Sequence, residues 1–447
     1  MFYFGYAMPY TVMSAILWNL SLGKNQKKRQ RLDAITENKQ MILIQQKGKQ
    51  FMMDSIELFS GTGGLALGLQ MSGFNHTALY EWDKDSCDNL NYNIQSGYPT
   101  IKDWKVFQTD VRTVHYDGYS GKIQLVAGGP PCQPFSLGGK HQAYNDKRDM
   151  FPEAVRAVRE VRPKVFIFEN VRGLLRKSFS AYFNYILLQL QHPEITKGAD
   201  MTWMEHLAIL EKHHTSGSTD ELSYNVVFRL LNAADYGVPQ IRQRVIIVGF
   251  RSDFNASWTF PEPKYSQEAL LYSKWISKDY WEEHGIKAPT DIPFTKEKLK
   301  AVQKAVSEGL CPTLRWQTVR DAIGDLPDPT KPYDIAAVHN HEFRPGAKIY
   351  AGHSGSVMDE PSKTIKAGAH GVPGGENTVV LDDGTIRYYT IRESARIQTF
   401  PDDYLFSASW TESMRQIGNA VPVKLATAVG QSVYSQIERM SKNGTKK

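Results

Sequence analysis

Cysteines are few in this 447-residue sequence, and their scarcity limits the kinds of protein it can be. The three that occur, Cys87, Cys132 and Cys311, lie far apart, so they form neither a disulfide framework nor a CxxC zinc site. The histidines are scattered without the spacing of metal ligands. Internal repeats and long low-complexity tracts are also absent, which excludes solenoids and propellers. These absences predict a cytoplasmic protein that folds in a reducing compartment and binds no metal.

Charge of one sign is only slightly in excess. Lys and Arg number 53 against 47 Asp and Glu, and the net charge of +6 allows a polyanionic partner without identifying one. The hydrophobic fraction of 41% and the charged fraction of 22% are ordinary for a globular protein, so the chain can build a sizeable core.

Residues 1–53 form an N-terminal extension whose composition differs from the rest. Residues 1–22 are apolar and the basic run Lys24–Arg31 follows them, whereas a signal peptide carries its charge first. A membrane anchor is an alternative, but Pro9 and several polar residues interrupt the apolar stretch, and we expect no membrane association. The extension is then either a poorly ordered segment or the product of a start codon assigned too far upstream. We assign it no function.

Short apolar runs alternate with amphipathic segments from Asp54 onward. The runs are rich in Val, Ile and Phe, as buried strands are, and between them apolar residues recur at spacings of three and four, as on a helix face. The predicted strands are Ile56–Phe59, Ala78–Tyr80, Ile123–Ala127, Val165–Phe168, Val226–Leu231 and Val245–Phe250. This alternation predicts an α/β fold with a doubly wound, mostly parallel sheet that binds its ligand at the carboxyl ends of the strands.

A glycine-rich segment follows the first predicted strand. Gly61, Gly63 and Ala66 fit the pattern G-x-G-x-x-A, and Glu81 lies about 20 residues further on, where an acid binds ribose hydroxyls. These residues indicate a nucleotide-like cofactor. They suit NAD equally well, and a glycine-rich turn without a ligand is a further alternative.

Two later strand ends carry reactive side chains. Cys132 stands in Gly128-Gly129-Pro130-Pro131-Cys132-Gln133-Pro134, where the prolines hold the thiol on a rigid turn, which favours a nucleophile over a buried inert cysteine. Glu169 follows the next apolar run. We expect partial burial to raise the pKa of this carboxyl group and suit it to proton donation. A role as a helix cap or as an ion-pair partner would also explain an acidic residue at this strand end.

The order of these and later segments resembles the DNA (cytosine-5)-methyltransferase family. Its motifs run from a cofactor loop to a Pro-Cys nucleophile, a Glu-Asn-Val, a Gln-x-Arg-x-Arg and a late Gly-Asn segment, and all are present over residues 54–430. The matching stretches are Ile56–Gly68, Gly128–Ser136, Phe168–Gly173, Leu231–Phe250, Arg392–Tyr404 and Gln416–Val429.

The resemblance implies transfer of a methyl group from S-adenosylmethionine to carbon 5 of a cytosine that is flipped out of duplex DNA. Cys132 would add to carbon 6 of the base, and Glu169 would engage ring N3 and the exocyclic amine. Arg244 would hold the base carbonyl, and Arg242 would order the catalytic loop and contact the DNA backbone.

The resemblance also implies the cofactor contacts. Phe59 and Trp82 would lie beside the adenine and Asp110 on its amine. Glu81 would bind the ribose, and the glycines would line the methionine portion. The full implied set is Phe59, Gly61, Gly63, Glu81, Trp82, Asp110, Asn419 and Val421, the last two closing the pocket.

DNA contacts are expected from two places. The segment after Cys132 has glycines and basic residues like the family's mobile catalytic loop, and a plain solvent loop is the alternative. Between Arg251 and Ile391 the strand and helix alternation stops, as in the family's target recognition domain, and Thr364 lies in a Thr-hydrophobic element near the flipped base. The expected DNA-binding residues are Gln133, Ser136, Lys140, Arg148, Thr364 and Lys366.

The sequence thus predicts a catalytic and cofactor-binding domain over 54–265, a recognition domain over 266–405 and a returning segment over 406–447. By analogy we expect a monomer, associated with the nucleoid through DNA, that protects DNA from a cognate restriction endonuclease without necessarily binding it. An RNA cytosine methyltransferase and a catalytically silent DNA-binding protein are the alternatives. The long recognition segment disfavours the first, and the intact Cys132, Glu169 and Arg244 disfavour the second.

Overall fold

The computed structural model describes residues 52–131, 149–217, 221–334, 337–348, 354–367 and 377–444. These residues form two compact units. The smaller is Ser266–Arg315, and the larger comprises residues 52–265 and 316–444. Among the described residues, no helix is long and apolar enough to span a membrane.

A seven-stranded sheet forms the centre of the larger unit, and its strand order is β3-β2-β1-β4-β5-β7-β6. Strands β1 to β5 run parallel, and β7 runs antiparallel to both its neighbours. The strands are β1 (Met53–Leu58), β2 (Phe74–Glu81), β3 (Val106–Gln108), β4 (Leu125–Gly128), β5 (Val165–Val171), β6 (Tyr224–Asn232) and β7 (Gln243–Arg251). The predicted mostly parallel α/β fold is therefore confirmed, and each of the six predicted strands overlaps an observed one.

Helices cover the sheet and pack their apolar residues against buried strand residues in two clusters. Those of the larger unit are α1 (Gly64–Met71), α2 (Lys84–Gln95), α3 (Phe151–Val161), α4 (Ser180–Gln191) and α5 (Trp203–Ser216), followed after the smaller unit by α9 (Val319–Ile323), α10 (Ile391–Ile397), α11 (Trp410–Asn419) and α12 (Val423–Gly444). Helix α12 packs closely on α1 because Gly68 has no side chain. A Cβ there would lie 2.6 Å from the Val423 carbonyl oxygen.

The reversal of β7 has a simple cause. Strand β6 ends at Asn232 and β7 begins at Gln243, so the connection is shorter than the dozen or more residues that a parallel crossover requires. As a result, β7 begins at the same edge of the sheet at which β1, β2, β4 and β5 end. We call this the carboxyl edge.

The smaller unit is mainly helical. Its helices are α6 (Gln267–Trp275), α7 (Asp279–Glu283) and α8 (Lys296–Ser307), and β8 (Tyr265–Ser266) and β9 (Leu314–Arg315) form a two-stranded sheet. A three-stranded sheet of β10 (Ser356–Val357), β11 (Thr378–Val380) and β12 (Ile386–Tyr388) belongs to the larger unit. The recognition domain expected over 266–405 spans both units and stays a prediction.

Candidate active site

Glu169 and Arg244 form an ion pair at the carboxyl edge. Arg244 Nε lies 2.7 Å from Glu169 Oε1, and the two side chains are only 12% and 11% exposed. In the antiparallel register Val171 pairs with Arg244 and Glu169 pairs with Ile246, so the two charged residues are diagonal neighbours on one face. Burial raises the pKa of Glu169, although Arg244 and Arg242 act in the opposite direction.

The chain that leads to Cys132 is fixed beside Glu169. Asn170 Nδ2 donates to the Pro130 carbonyl at 2.9 Å, and a Cβ on Gly129 would lie 3.5 Å from Glu169 Oε2. Met150 N–H donates to the Pro131 carbonyl at 3.3 Å. The residues immediately before and after the segment 132–148 are therefore joined next to the ion pair.

Several predicted residues lie in that segment, outside the part of the chain that the structure describes. These are Cys132, Gln133, Ser136, Lys140 and Arg148. Their roles stay predictions.

Arg242 has a different environment from the one expected for a contact to the DNA backbone. Its side chain is 0% exposed. The guanidinium donates to the carbonyls of Ile365 at 3.0 Å, Gly418 at 2.7 Å and Ala420 at 3.0 Å. Arg242 therefore joins the start of β7 to two later segments and offers no exposed surface to a phosphate.

The Thr-hydrophobic element lies beside the start of β7. Thr364 Oγ1 donates to the Ile241 carbonyl at 2.8 Å, and Ile365 N–H donates to Gln240 Oε1 at 3.0 Å. Thr364 is partly exposed and Lys366 is exposed. The structure thus brings Thr364 to the edge that holds Glu169 and Arg244, although more than a hundred residues separate them in sequence.

Glu81 organises the other end of the carboxyl edge, where β1 and β2 end. Its carboxylate accepts from the backbone N–H groups of Gly61 at 2.7 Å, Trp82 at 2.9 Å and Asp83 at 2.8 Å. Burial raises the pKa of Glu81, and these N–H groups oppose the shift. The glycine-rich loop and the acid that follows β2 are therefore in direct contact.

The surface around this loop is open. A Cβ on Gly61 would meet no atom of the described residues within 4 Å, and the Trp82 side chain is 71% exposed. Phe59 and Gly63 have the positive φ angles of 57° and 81° that turn the chain away from β1. Exposed aromatic surface, open space and carboxylate acceptors are the features that a nucleoside with a tail free of phosphate requires.

The remaining predicted cofactor residues are placed as follows. Val421 follows α11 and packs on the glycine-rich loop. The approach is so close that a Cβ on Gly64 would lie 2.5 Å from the Val421 carbonyl oxygen. Asn419 is exposed at the end of α11. Asp110 follows β3 and pairs with Arg112, which lowers the pKa of the Asp110 carboxyl group.

Two buried polar residues beneath the loop were missed in the sequence. Glu57, in β1, is 1% exposed, and burial raises its pKa well above the usual value. His76, in β2, donates from Nε2 to the Ala66 carbonyl at 3.0 Å, and burial lowers its pKa to about 4. The sequence signal that could have identified Glu57 is an acidic residue between Ile56 and Leu58, within an apolar run.

The described residues contain no group of three or more His, Cys, Asp or Glu that could hold a metal ion.

Sequence comparisons agree with this geometry. A family profile described as C-5 cytosine-specific DNA methylase matches residues 53–193 and 211–435. The chain is 32% identical over 391 residues to Type II methyltransferase M.NgoMIV of Neisseria gonorrhoeae, covering 86% of this chain and 98% of the relative. It is 31% identical over 395 residues to Type II methyltransferase M.PspPI of Psychrobacter sp., covering 87% and 80% respectively.

Solved structures show a similar fold. The methyltransferase EhMeth of Entamoeba histolytica superimposes with a TM-score of 0.51 at 12% identity, covering 87% of this chain and 99% of that one. A prophage-encoded E. coli structure, titled as a DNA modification methyltransferase, gives a TM-score of 0.53 at 21% identity, covering 86% and 99%.

Proposed function

This chain belongs to the C-5 cytosine-specific DNA methylase family, and on that premise we propose that its carboxyl edge transfers a methyl group from S-adenosylmethionine to carbon 5 of a cytosine within a specific duplex DNA sequence. The observation that carries the proposal is the buried Glu169 and Arg244 pair, held beside the Pro130-Pro131 turn that leads to Cys132.

Glu169 and Arg244 suit neighbouring atoms of one base. The carbonyl oxygen and ring N3 of cytosine are adjacent, so the groups that bind them must also be adjacent, as these two side chains are. Arg244 donates to the carbonyl oxygen. Glu169, whose pKa is raised by burial, supplies a proton to N3 as negative charge develops on the ring.

Cys132 is the proposed nucleophile. Its thiolate forms a bond to carbon 6, which makes carbon 5 electron-rich and able to take the methyl group. Loss of the proton on carbon 5 then allows the bond between Cys132 Sγ and carbon 6 to break, and the thiolate leaves. The hydrogen bond from Asn170 to the Pro130 carbonyl supports this role, because it fixes the turn next to Glu169.

The cofactor is proposed to bind where β1 and β2 end. S-adenosylmethionine, when bound, supplies an electrophilic methyl group on a positively charged sulfur. Trp82 offers an exposed aromatic face for the adenine, and Glu81 offers carboxylate oxygens to the ribose hydroxyls. The open space at Gly61 admits the methionine portion. Asp110, Phe59, Gly63, Asn419 and Val421 complete the proposed pocket.

The names of the relatives, Type II methyltransferases, support a proposed biological setting. We propose a monomer that acts on DNA in the cytoplasm, at the nucleoid, and methylates the sequence cut by a cognate restriction endonuclease. The two enzymes need no contact with each other, since both act on the same DNA sequence.

Bisulfite sequencing of total DNA from cells that express the chain tests the proposed function. We expect protected cytosines within one short recurring sequence. Cells that express Glu169→Ala serve as the control. Conversion of every cytosine in both strains would contradict the proposal.

A further inference from the structure

The chain that leaves the active-site strand β5 is basic. Between Glu169 and Glu194 there is no acidic residue, whereas Arg172, Arg176 and Lys177 follow directly after the site. We call these three residues the basic turn. They have no role in the methyl transfer derived above.

The backbone of the basic turn is held by its apolar residues. Two 3₁₀ turns, Arg172–Leu175 and Lys177–Phe179, form the segment. Leu174 and Phe179 are buried, with exposed fractions of 0% and 6%. Arg172 and Lys177 are exposed and Arg176 is partly exposed, so the apolar residues anchor the turn while the cations remain at the surface.

No described residue neutralises the cations of the basic turn. Within the described ranges, no carboxylate lies within 4.0 Å of any of the three, although ion pairs are common among the other arginines of the larger unit. Arg172 Nη1 donates to Gln243 Oε1 at 2.8 Å, and Gln243 immediately precedes Arg244. The basic turn therefore begins at the edge that holds the Glu169 and Arg244 pair.

We propose that the basic turn binds phosphates of the DNA strand that carries the target cytosine. The inference rests on the proposed function. A flipped nucleotide stays attached to its strand, so a base that reaches Glu169 brings its neighbouring phosphates to the mouth of the site. Anchored cations at that mouth supply the sequence-independent contacts that position a strand.

The salt dependence of DNA binding tests this proposal. Each phosphate contact contributes about 0.9 to the slope of log affinity against log salt concentration, so Arg172→Ala/Arg176→Ala/Lys177→Ala should reduce the slope by about 2.7. Arg172→Ala alone should reduce it by about 0.9. The double variant Arg172→Lys/Arg176→Lys keeps the charges and should retain the slope.

A matched control is available at the opposite edge of the sheet. Lys102, Lys105 and Lys122 are exposed and precede β3 and β4. Their triple alanine variant makes the same change in net charge and should leave the slope within about 0.5 of the parent value. Affinity for S-adenosylmethionine, measured without DNA, should stay within twofold in all variants, and melting temperatures report on folding.

Failure of the basic-turn proposal can be distinguished from failure of the proposed function. If the unmodified chain methylates DNA and the basic-turn variants keep its slope, or reduce it no more than the control triple does, the basic turn does not bind phosphate. If the unmodified chain neither binds nor methylates DNA, the proposed function itself fails and the present proposal fails with it.

Discussion

Arg244 Nε contacts Glu169 Oε1 at 2.7 Å across two antiparallel strands, and both side chains are almost buried. Strand β7 follows β6 through a short connection and runs antiparallel to β5. Arg244, at the start of β7, therefore lies beside Glu169, near the end of β5. The pair is thus a consequence of the one reversed strand in the sheet, and it forms the base-binding part of the proposed site.

Replacement of Glu169 by Gln should lower the single-turnover rate constant of methyl transfer by roughly 10² to 10⁴, because the amide cannot supply the proton that a carboxyl group supplies to N3. Cofactor affinity without DNA should scarcely change, since Glu169 lies near the end of β5, beside the start of β7, and not at the glycine-rich loop. Single-turnover methyl transfer with labelled cofactor measures the rate. A variant within tenfold of the parent would show that Glu169 is not the proton donor.

Replacement of Arg242 by Met should reduce the free energy of unfolding by at least about 2 kcal/mol, because the buried carbonyls of Ile365 and Gly418 lose their donor. Arg229→Met is the control. That residue is 46% exposed and lies 4.0 Å from Glu262, so its replacement should cost less than about 1 kcal/mol. Urea denaturation gives both values. Equal stability of the two variants would contradict the structural role of Arg242.

Stability should fall at acid pH through His76. Its pKa is lowered from 6.5 to about 4 in the folded chain, so the unfolded chain takes up the proton first as pH falls. The contribution of the neutral, buried His76 to the free energy of unfolding is fully present above pH 6.5. It is lost progressively toward pH 4, to a total of about 3 kcal/mol. The difference in unfolding free energy between the parent and His76→Gln should therefore shrink over this range. A difference independent of pH would remove His76 as its cause.

Cofactor binding and sequence reading should respond to different residues. Glu81→Ala should weaken S-adenosylmethionine binding by about 10- to 100-fold, since the variant cannot form the charge-assisted hydrogen bonds of the carboxylate. Thr364→Val and Lys366→Ala should instead alter target choice or DNA affinity, by on the order of 1 to 3 kcal/mol for each hydrogen bond to a base that the substitution removes. Calorimetry without DNA measures the first effect. An equal reduction of cofactor affinity in Thr364→Val would contradict this division.

Much of the sheet was predictable because buried parallel strands are continuous apolar runs, as in Val165–Phe168. Strand β3 was missed because it has only three residues and two of them are exposed. The burial of Arg242 was not predictable, because its partners are backbone carbonyls of segments distant in sequence. Backbone carbonyls carry no sequence signal, and the same holds for the contact between Asn170 and Pro130.

The central claim is that this site methylates cytosine through a covalent bond to Cys132. Duplex DNA with 5-fluorocytosine at the target tests it most directly, because fluorine on carbon 5 cannot leave as a proton and the bond to the thiol then persists. With S-adenosylmethionine present, a denaturing gel should show a shifted protein–DNA band for the parent and none for Cys132→Ser, since a hydroxyl is a much weaker nucleophile than a thiolate. Active enzyme that methylates ordinary DNA but forms no such band, or a Cys132→Ser variant that still forms it, would contradict the account.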